Sequence, residues 1–255
     1  MKSILYGPVP SWRLGRSLGV DLVSVEDKTC SFDCVYCQLG RTVYPTGERR
    51  EFVSLAQLVQ ELKAVRNIAV DYVTFSGLAE PTLASNLGQA IEVVRSVLGL
   101  PVAVLTNSSL LPRQDVRREL SQADVVIAKV DAPDEELFQR INRPKIGCTL
   151  GEILHALKLF RGEYEGKLAL QMMFIEANRG CAREMAKLAR ELSLDEVQIN
   201  TPLRPCAVKP LMPEEIAAIQ REFSGIKGVI TVYEASRPEV TPLNLKETLR
   251  RRPEL

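Results

Sequence analysis

The sequence has a single histidine, His155, among its 255 residues, and this scarcity excludes several kinds of enzyme chemistry. It contains no Ser/His/Asp arrangement, no His-Glu-x-x-His zinc motif and no Gly-rich phosphate loop. His155 itself lies one position off the apolar stripe of its helix, which is typical of a boundary residue rather than a general base. Nucleophilic hydrolysis and zinc proteolysis therefore have no visible machinery in this chain.

The sequence also lacks an excess of charge and a long apolar run. Its 33 Lys and Arg residues nearly balance 32 Asp and Glu residues, so the net charge of +1 gives no general attraction for nucleic acid or membranes. No segment approaches the roughly 18 apolar residues of a membrane helix, and the N-terminus lacks the apolar region of a secretory signal. We expect a cytoplasmic protein with no membrane partner. In that reducing compartment, six cysteines favour metal-binding, catalytic or core thiols over disulfides.

Apolar segments suited to strands alternate with segments of helical period from about residue 50 to about residue 233. This alternation predicts βα units with a parallel sheet, and the length fits one α/β domain over residues 1–255. Several apolar runs are β-branched and lack polar alternation, as expected for strands covered on both faces. We predict strands at Ser17–Val25, Val70–Ser76, Val102–Thr106, Val125–Val130, Leu168–Ile175, Val197–Asn200 and Val229–Tyr233.

The segments between these strands carry helix signals. The first helix is predicted to begin with a capping box, in which Ser54 is the N-cap and Gln57 lies three positions later. The Leu and Met stripes of this helix and the later ones predict packing against the sheet. The basic run Arg250-Arg251-Arg252 is typical of a solvated tail. Functional side chains are expected at the carboxyl ends of the strands, where parallel βα units place their working loops.

Three of the six cysteines form the segment Cys30-Ser-Phe-Asp-Cys34-Val-Tyr-Cys37, shortly after the first predicted strand. In a loop, the spacing Cys-x3-Cys-x2-Cys lets three thiolates converge on one soft metal centre. Three ligands on a four-iron cluster would leave one iron open for a substrate or cofactor, whereas a structural zinc site needs a fourth ligand. A zinc knuckle that borrows a distant cysteine and a set of core thiols are the alternatives, and the clustering argues against the core thiols.

The cysteine segment, with Tyr36 immediately before its last cysteine, resembles the signature of the radical S-adenosylmethionine (radical SAM) superfamily. Other segments resemble the wyosine-synthase-related Fe–S oxidoreductases of that superfamily, so that the similarity covers most of the chain. These segments are Tyr6-Gly-Pro-Val-Pro-Ser11, Leu14-Gly-Arg-Ser-Leu-Gly19, Cys37-Gln-Leu-Gly-Arg41-Thr and Val197-Gln-Ile-Asn-Thr-Pro202.

The resemblance implies a single radical SAM domain, a partial (β/α)6 TIM-like barrel with its core at about residues 17–233 and extensions at both ends. It implies a [4Fe–4S] cluster held by Cys30, Cys34 and Cys37, with SAM bound to the open iron. Reductive cleavage of SAM to a 5′-deoxyadenosyl radical is the chemistry that would follow. An external electron donor such as flavodoxin or ferredoxin would then be a partner.

The resemblance also assigns SAM contacts to polar residues that follow the predicted strands. Gly77 and Glu80 would hold the SAM amino group, Lys129 would pair with its carboxylate, and Asp131 would accept the ribose hydroxyls. An ordinary Lys129–Asp131 pair on one face of a strand is the alternative reading, since residues two apart share a face. The full set of predicted cofactor contacts is Tyr36, Gly77, Glu80, Thr106, Asn107, Lys129, Asp131 and Asn200.

The substrate is open at this point. A tRNA base follows from the resemblance, and a small anionic metabolite would suit arginines near the predicted site. A glycyl-radical protein partner and a non-enzymatic zinc-binding module are the alternatives. The candidate anion-binding arginines are Arg13, Arg16, Arg41, Arg140, Arg143 and Arg204.

The remaining cysteines, Cys148, Cys181 and Cys206, follow the fourth, fifth and sixth predicted strands. Loops at that edge can bring them to the same face, where they would bind an auxiliary cluster or supply a thiol to the substrate. Spacing this wide specifies nothing, and buried free cysteines are common, so three unrelated thiols are the favoured interpretation.

Overall fold

The computed structural model describes residues 3–253, which form strands and helices in alternation. The strands are β1 (Leu5–Ser11), β2 (Gly15–Val20), β3 (Thr29–Cys30), β4 (Tyr44–Pro45), β5 (Tyr72–Phe75), β6 (Val102–Thr106), β7 (Val125–Lys129), β8 (Lys167–Met173), β9 (Glu196–Asn200) and β10 (Val229–Thr231). The helices are α1 (Leu55–Ala64), α2 (Leu87–Leu98), α3 (Gln114–Leu120), α4 (Glu135–Ile141), α5 (Leu150–Glu163), α6 (Ala182–Leu192), α7 (Pro213–Glu222) and α8 (Leu245–Arg251). Short 3₁₀ turns lie at Pro81–Leu83 and Arg179–Cys181.

Eight of these strands form one sheet in the order β1-β2-β5-β6-β7-β8-β9-β10, while β3 pairs with β4 alone. Every neighbouring pair in the large sheet is parallel except β1 and β2. The sheet curls into a half-barrel with helices, which confirms the predicted partial (β/α)6 barrel. The carboxyl ends of the parallel strands meet at one edge, so the loops that follow them are neighbours.

Residues on the two faces of the sheet pack into different apolar clusters. On the outer face, Val73, Val104 and Val126 pack with the helices in the main core. On the inner face, Ala103, Ile127 and Ala169 pack in a smaller cluster that also includes Leu14, from the turn between β1 and β2. This inner layer contains few large side chains, which leaves the rest of the inner face to polar residues.

The edge strand β1 was not predicted from the sequence. It runs antiparallel to β2 and contains Pro8 and Pro10, which have no backbone N–H to donate and argue against a strand. A strand at the edge of a sheet tolerates such residues because one side of it needs no partner. The other predicted strands are present, with β6 at its predicted bounds. The strand predicted at Ser17–Val25 ends earlier, at Val20.

The capping box predicted at the start of α1 is only half formed. Ser54 Oγ accepts from the backbone N–H of Gln57 at 3.2 Å, but the Gln57 side chain donates to Glu61 Oε1 at 2.9 Å. A complete box occurs instead at the start of α5, where Thr149 and Glu152 cap each other. The local pattern predicted the start of the helix correctly. It did not predict the partner of the Gln57 side chain, because Glu61, one helical turn later, binds that amide in place of the N-cap backbone.

The C-terminal helix α8 packs against β1, and this contact overturns the prediction of a solvated basic tail. The backbone N–H of Gly7 donates to Thr248 Oγ1 at 2.9 Å, and the side chain of Arg251 is completely buried. Its Nε lies 2.8 Å from Asp21 Oδ2, and its Nη1 lies 2.7 Å from Glu247 Oε2. Arg250 and Arg252 are half-buried. The run is therefore part of the structure rather than a tail.

Within residues 3–253 no helix has the length and apolar character needed to span a bilayer.

Candidate active site

The cysteine loop lies at the carboxyl edge of the sheet and is fixed by backbone hydrogen bonds to the end of α4. The N–H of Asp33 donates to the carbonyls of Asn142 and Arg143, both at 3.1 Å, and the N–H of Val35 donates to the carbonyl of Ile141 at 2.9 Å. Residues 31–37 are thus held from outside rather than by a helix or strand of their own. This arrangement fixes the loop that carries the three cysteines. One of them, Cys34, contacts Asn142, which lies 108 positions away in the chain.

Side-chain amides approach two of the three sulfur atoms. Asn107 Nδ2 lies 3.6 Å from Cys30 Sγ, and Asn142 Nδ2 lies 3.6 Å from Cys34 Sγ. Amide donors of this kind stabilise negative charge on a thiolate, and hydrogen bonds to sulfur tune the reduction potential of iron–sulfur clusters. The donors are well matched to thiolate ligands.

Burial disfavours the charged form of two of the cysteine thiols. Burial raises the pKa of Cys30 to about 12 and also raises the pKa of Cys34, on which nearby Lys129 has the opposite effect. These thiols are neutral near pH 7 until a metal charge compensates the desolvation of the thiolate. Among the residues the structure describes, no three His, Cys, Asp or Glu side chains surround one point closely enough to hold a metal ion. The fit of Cys30, Cys34 and Cys37 to a cluster therefore rests on donor chemistry and on the loop that carries them.

Tyr36, between Cys34 and Cys37, joins the cysteine loop to β7. Its hydroxyl donates to Asp131 Oδ2 in a short hydrogen bond and accepts from Lys129 Nζ at 2.9 Å. Lys129 Nζ also lies 4.3 Å from the centre of the Tyr36 ring and 3.7 Å from Asp131 Oδ2. Burial, followed by the charge of Asp131, raises the pKa of Tyr36 well above its usual value. The Lys129–Asp131 pair considered as the alternative reading is therefore present, with Tyr36 bound to both partners.

Asp131 is the centre of this cluster, and both oxygens of its carboxylate accept hydrogen bonds from protein donors. Besides Tyr36, it accepts from Asn142 Nδ2 at 2.8 Å and from the backbone N–H of Met173 at 2.9 Å. The side chain is completely buried. Asp131 thus aligns the phenol of Tyr36 and the amide that reaches Cys34. Its predicted contact with a ribose stays a prediction.

Glu80 and Asn107 form a second polar group on the other side of the loop. Glu80 Oε1 accepts from Thr106 Oγ1 at 2.7 Å and from the backbone and hydroxyl of Thr82, whereas Oε2 accepts only from the N–H of Asn107, at 2.6 Å. Burial raises the pKa of Glu80, and these hydrogen bonds oppose that shift. Oε2 retains acceptor capacity for an ammonium group. The structure thus brings Glu80, Thr106 and Asn107 together beside Cys30.

Gly77 and Asn200 lie at the same edge without joining either group directly. A Cβ on Gly77 would lie 2.2 Å from Asp21 Cγ, so a side chain there would displace the carboxylate that binds Arg251. Asn200 ends β9, is buried, and accepts from the N–H of Thr201 at 2.9 Å. Their roles toward SAM remain predictions.

The candidate arginines separate into exposed and inward-facing residues. Arg16 pairs with Asp71 on the outside, at 2.8 Å between Nη2 and Oδ1. Arg41, Arg140 and Arg143 are exposed. Arg13 reaches the inner face of the sheet, and Arg204 approaches Gln38 of the cysteine loop, at 3.4 Å between Nη1 and Oε1. Of the six candidate arginines, Arg16 is therefore already paired with a carboxylate, and Arg13 and Arg204 contact residues of the inner face and the cysteine loop.

The three remaining cysteines are not gathered in one place. Cys148 is buried in the main core, and Cys181 packs against the edge of that core at the start of α6. Cys206 packs against a different apolar cluster, which contains Tyr36 and Met173, and its thiol donates to the Val208 carbonyl at 3.1 Å. This distribution agrees with the favoured interpretation of three unrelated thiols.

Two residues important to the site were not identified from the sequence. Asn142 lies in a polar stretch that drew attention for its arginines, yet its amide contacts Cys34, Tyr36 and Asp131. Arg252 was assigned to the tail, yet it donates to Ser76 beside Gly77. No local pattern marks either residue, because their partners lie up to 246 positions away in the chain.

The family model described as the Radical SAM superfamily matches residues 28–189, which include the cysteine loop, Glu80 and the Tyr36–Asp131 cluster. The chain is 39% identical to a UPF0026 protein of Methanocaldococcus jannaschii over 226 residues, covering 86% of this chain and 70% of that protein. It is 42% identical to a UPF0026 protein of Synechocystis over 211 residues, covering 82% of this chain and 78% of that protein.

Solved structures share the fold at lower identity. The chain superposes on native anSMEcpe with bound AdoMet with a TM-score of 0.63 at 18% identity, covering 81% of this chain and 58% of that one. It superposes on TYW1 with a lysine-pyruvate adduct bound with a TM-score of 0.61 at 17% identity, covering 82% and 72%.

Proposed function

The chain belongs to the radical SAM superfamily, and we propose that it cleaves SAM reductively and uses the 5′-deoxyadenosyl radical to abstract a hydrogen atom from a substrate. The family uses a [4Fe–4S] cluster and SAM as cofactors. The observation that carries the proposal is the cysteine loop itself. It is anchored on α4, with amide donors at two sulfurs, and lies between the Glu80 group and the Tyr36–Asp131 cluster.

In this proposal Cys30, Cys34 and Cys37 hold the cluster, which when bound supplies the electron that breaks a carbon–sulfur bond of SAM and releases methionine. Glu80 accepts hydrogen bonds from the SAM amino group through Oε2. Lys129, already positioned over Tyr36, faces the SAM carboxylate.

The radical then takes a hydrogen atom from the substrate and becomes 5′-deoxyadenosine. One electron enters per cleavage, so the proposal includes an outside donor such as flavodoxin or ferredoxin. All six cysteines are free thiols in the structure, which suits the reducing cytoplasm where we place the protein. The tRNA base and the glycyl-radical protein stay predictions from the sequence.

The test is anaerobic reconstitution with iron and sulfide, followed by reductant and SAM. We expect about four irons per chain and release of both methionine and 5′-deoxyadenosine, measured by mass spectrometry. Cys34→Ala is expected to lose the intact cluster and both products. Cys181→Ala is the matched control, because it removes a thiol of similar exposure outside the loop and should retain both.

Three results would overturn the proposal: no release of either product by the wild type, zinc without iron in anaerobically purified protein, or a full cluster in Cys34→Ala. An iron content of about eight per chain would instead contradict the separation of Cys148, Cys181 and Cys206, since it requires a second cluster.

A further inference from the structure

Arg13 carries a positive charge onto the inner face of the half-barrel. It lies in the turn between β1 and β2, and its Nη2 donates to Gln171 Oε1 on β8 at 3.2 Å. Gln171 is the register partner of Lys129, so the two share this face. The Nε atom of Arg13 is buried and has no hydrogen-bond partner among residues 3–253. Buried donors are nearly always satisfied, so this one calls for an acceptor.

Arg252 brings a second cation to the same face from the other end of the chain. Its Nη2 donates to Ser76 Oγ at 3.1 Å and lies 3.4 Å from Tyr6 Oη, at the carboxyl end of β5. Ser76 and Tyr6 contact Arg252 through hydroxyl groups, which do not neutralise its charge. In the described part of the chain, neither Arg13 nor Arg252 forms an ion pair with a carboxylate.

Other arginines act on the charge of Arg13. Burial, followed by the charges of Arg252, Arg204 and Arg237, lowers the pKa of Arg13 to about 9, while Glu196 opposes the shift. Arg13 therefore remains charged at neutral pH. Holding like charges together in a partly desolvated place is unfavourable, and a bound anion would reverse the sign of that interaction.

Arg237, one of the arginines that act on Arg13, lies at the surface. It is exposed and lines a groove of about 600 Å³ together with Pro10 and the segment 238–241. Glu239 is the acidic member of this lining, opposite in sign to the arginines. A ligand in solution can therefore reach Arg237 directly.

We propose that Arg13 and Arg252 bind the anionic group, a phosphate or a carboxylate, of a small-molecule substrate on the inner face of the half-barrel, with Arg204 and Arg237 at its margin. Guanidinium groups bind such anions bidentately, and two neutral amide and hydroxyl partners, Gln171 and Ser76, hold them in place without neutralising them. The inference rests on the proposed function, because it names the substrate class of the same site.

The test is titration of the wild-type protein with inorganic phosphate and, separately, with malonate, followed by calorimetry at low ionic strength. We expect saturable binding of one anion per chain to the wild type, and the stronger of the two probes identifies the substrate group as phosphate or carboxylate. Arg13→Gln and Arg252→Gln should each weaken this binding by about tenfold or more. Arg16→Gln is the matched control, since it removes the same charge from the same hairpin at a residue paired with Asp71.

A second measurement separates this proposal from the proposed function. Release of 5′-deoxyadenosine without substrate is measured in the wild type and in Arg16→Gln, which should agree within about twofold because Arg16 pairs with Asp71 on the outside. Arg252→Gln provides independent evidence if Arg13→Gln fails to fold, as judged by circular dichroism. If the wild type does not cleave SAM, the proposed function is overturned, and the anion-binding result is then judged separately.

The inference is overturned if neither probe binds the wild type, or if all three variants bind as the wild type does. Tight, steeply salt-dependent binding of transfer RNA that is unchanged in Arg13→Gln and Arg252→Gln, with no binding of phosphate or malonate, would also overturn it in favour of an RNA substrate.

Discussion

Two of the buried ion pairs among residues 3–253 differ in how completely they are satisfied. In the Arg251–Asp21 pair the side chains are 0% and 2% exposed, and Nε and Oδ2 are 2.8 Å apart. The other guanidinium nitrogens also have acceptors, namely Glu247, Ser24 and the carbonyl of Ser3. In the Lys129–Asp131 pair the nearest atoms are 3.7 Å apart, and Lys129 is 21% exposed.

This difference separates a structural pair from one with capacity for a ligand. Arg251 joins α8 to the residues that follow β2, and no donor remains for another molecule. Lys129 donates to Tyr36 and keeps further donors directed at the edge of the sheet where the cysteine loop lies. Buried charges are costly unless fully paired, so an incompletely paired one at a site indicates function rather than stability.

The largest effect is expected from breaking the saturated pair. Arg251→Met leaves the Asp21 carboxylate buried without its cation and should lower the free energy of unfolding by about 3–5 kcal/mol, measured by urea denaturation. Arg250→Met is the control, because Arg250 is partly exposed and its side chain lies farther from a carboxylate, 3.7 Å from Glu247. Equal losses in the two variants would contradict the structural role assigned to Arg251.

A smaller effect on stability, but a clear effect on cofactor binding, is expected from Lys129→Met. Tyr36, Asn142 and the N–H of Met173 would still donate to Asp131, so the loss of unfolding free energy should be about 1 kcal/mol. The affinity of the reconstituted protein for SAM, measured by anaerobic equilibrium dialysis, should fall about tenfold.

Lys167→Met provides the comparison, since Lys167 is also a strand lysine but pairs with Glu196 and is 45% exposed. It should leave SAM affinity unchanged. Unchanged SAM affinity in Lys129→Met, or a loss of stability as large as that of Arg251→Met, would remove the distinction between the two buried pairs.

The smallest effect on the free energy of unfolding is expected at the exposed Arg113–Asp115 pair. It is the reference for the two buried pairs. Hydrogen bonds from Arg113, and then from Arg49, hold the pKa of Asp115 well below its usual range. A depressed pKa in the folded state adds stability above the pKa of the unfolded chain and loses it as the pH falls. Asp115→Asn should therefore cost about 0.5 kcal/mol at pH 7 and less near pH 3.

Urea unfolding at both pH values checks this prediction, with exposed Glu165→Gln as the control. A cost that grows as the pH falls would contradict the assigned direction of the pKa shift. A cost at pH 7 comparable to that of Arg251→Met would show that burial does not set the ranking of these pairs.

The sequence and the structure agree best where the signal is local. The spacing of Cys30, Cys34 and Cys37 within eight residues predicted the loop, and the alternation of apolar segments predicted seven strands in βα units. The half-barrel was predicted by the resemblance to the radical SAM superfamily. The register of parallel strands then brings Glu80, Thr106 and Asn107 together, because Glu80 follows β5, and Thr106 and Asn107 lie at the end of its neighbour β6. The edge strand β1 was missed because its prolines are permitted only by its place at the edge.

By itself, the sequence determined the cysteine loop, the order of βα units and the edge at which the site forms, because spacing and periodicity act over a few residues. Only the tertiary structure decided that Arg251 is a core residue, that Asn142 donates to Cys34, and that Arg13 and Arg252 share the inner face. Arg251 and Asp21 are 230 positions apart, and nothing near either residue in the chain indicates the other. The arginines of the C-terminal basic run contact their partners only after the chain folds back onto the sheet and buries them.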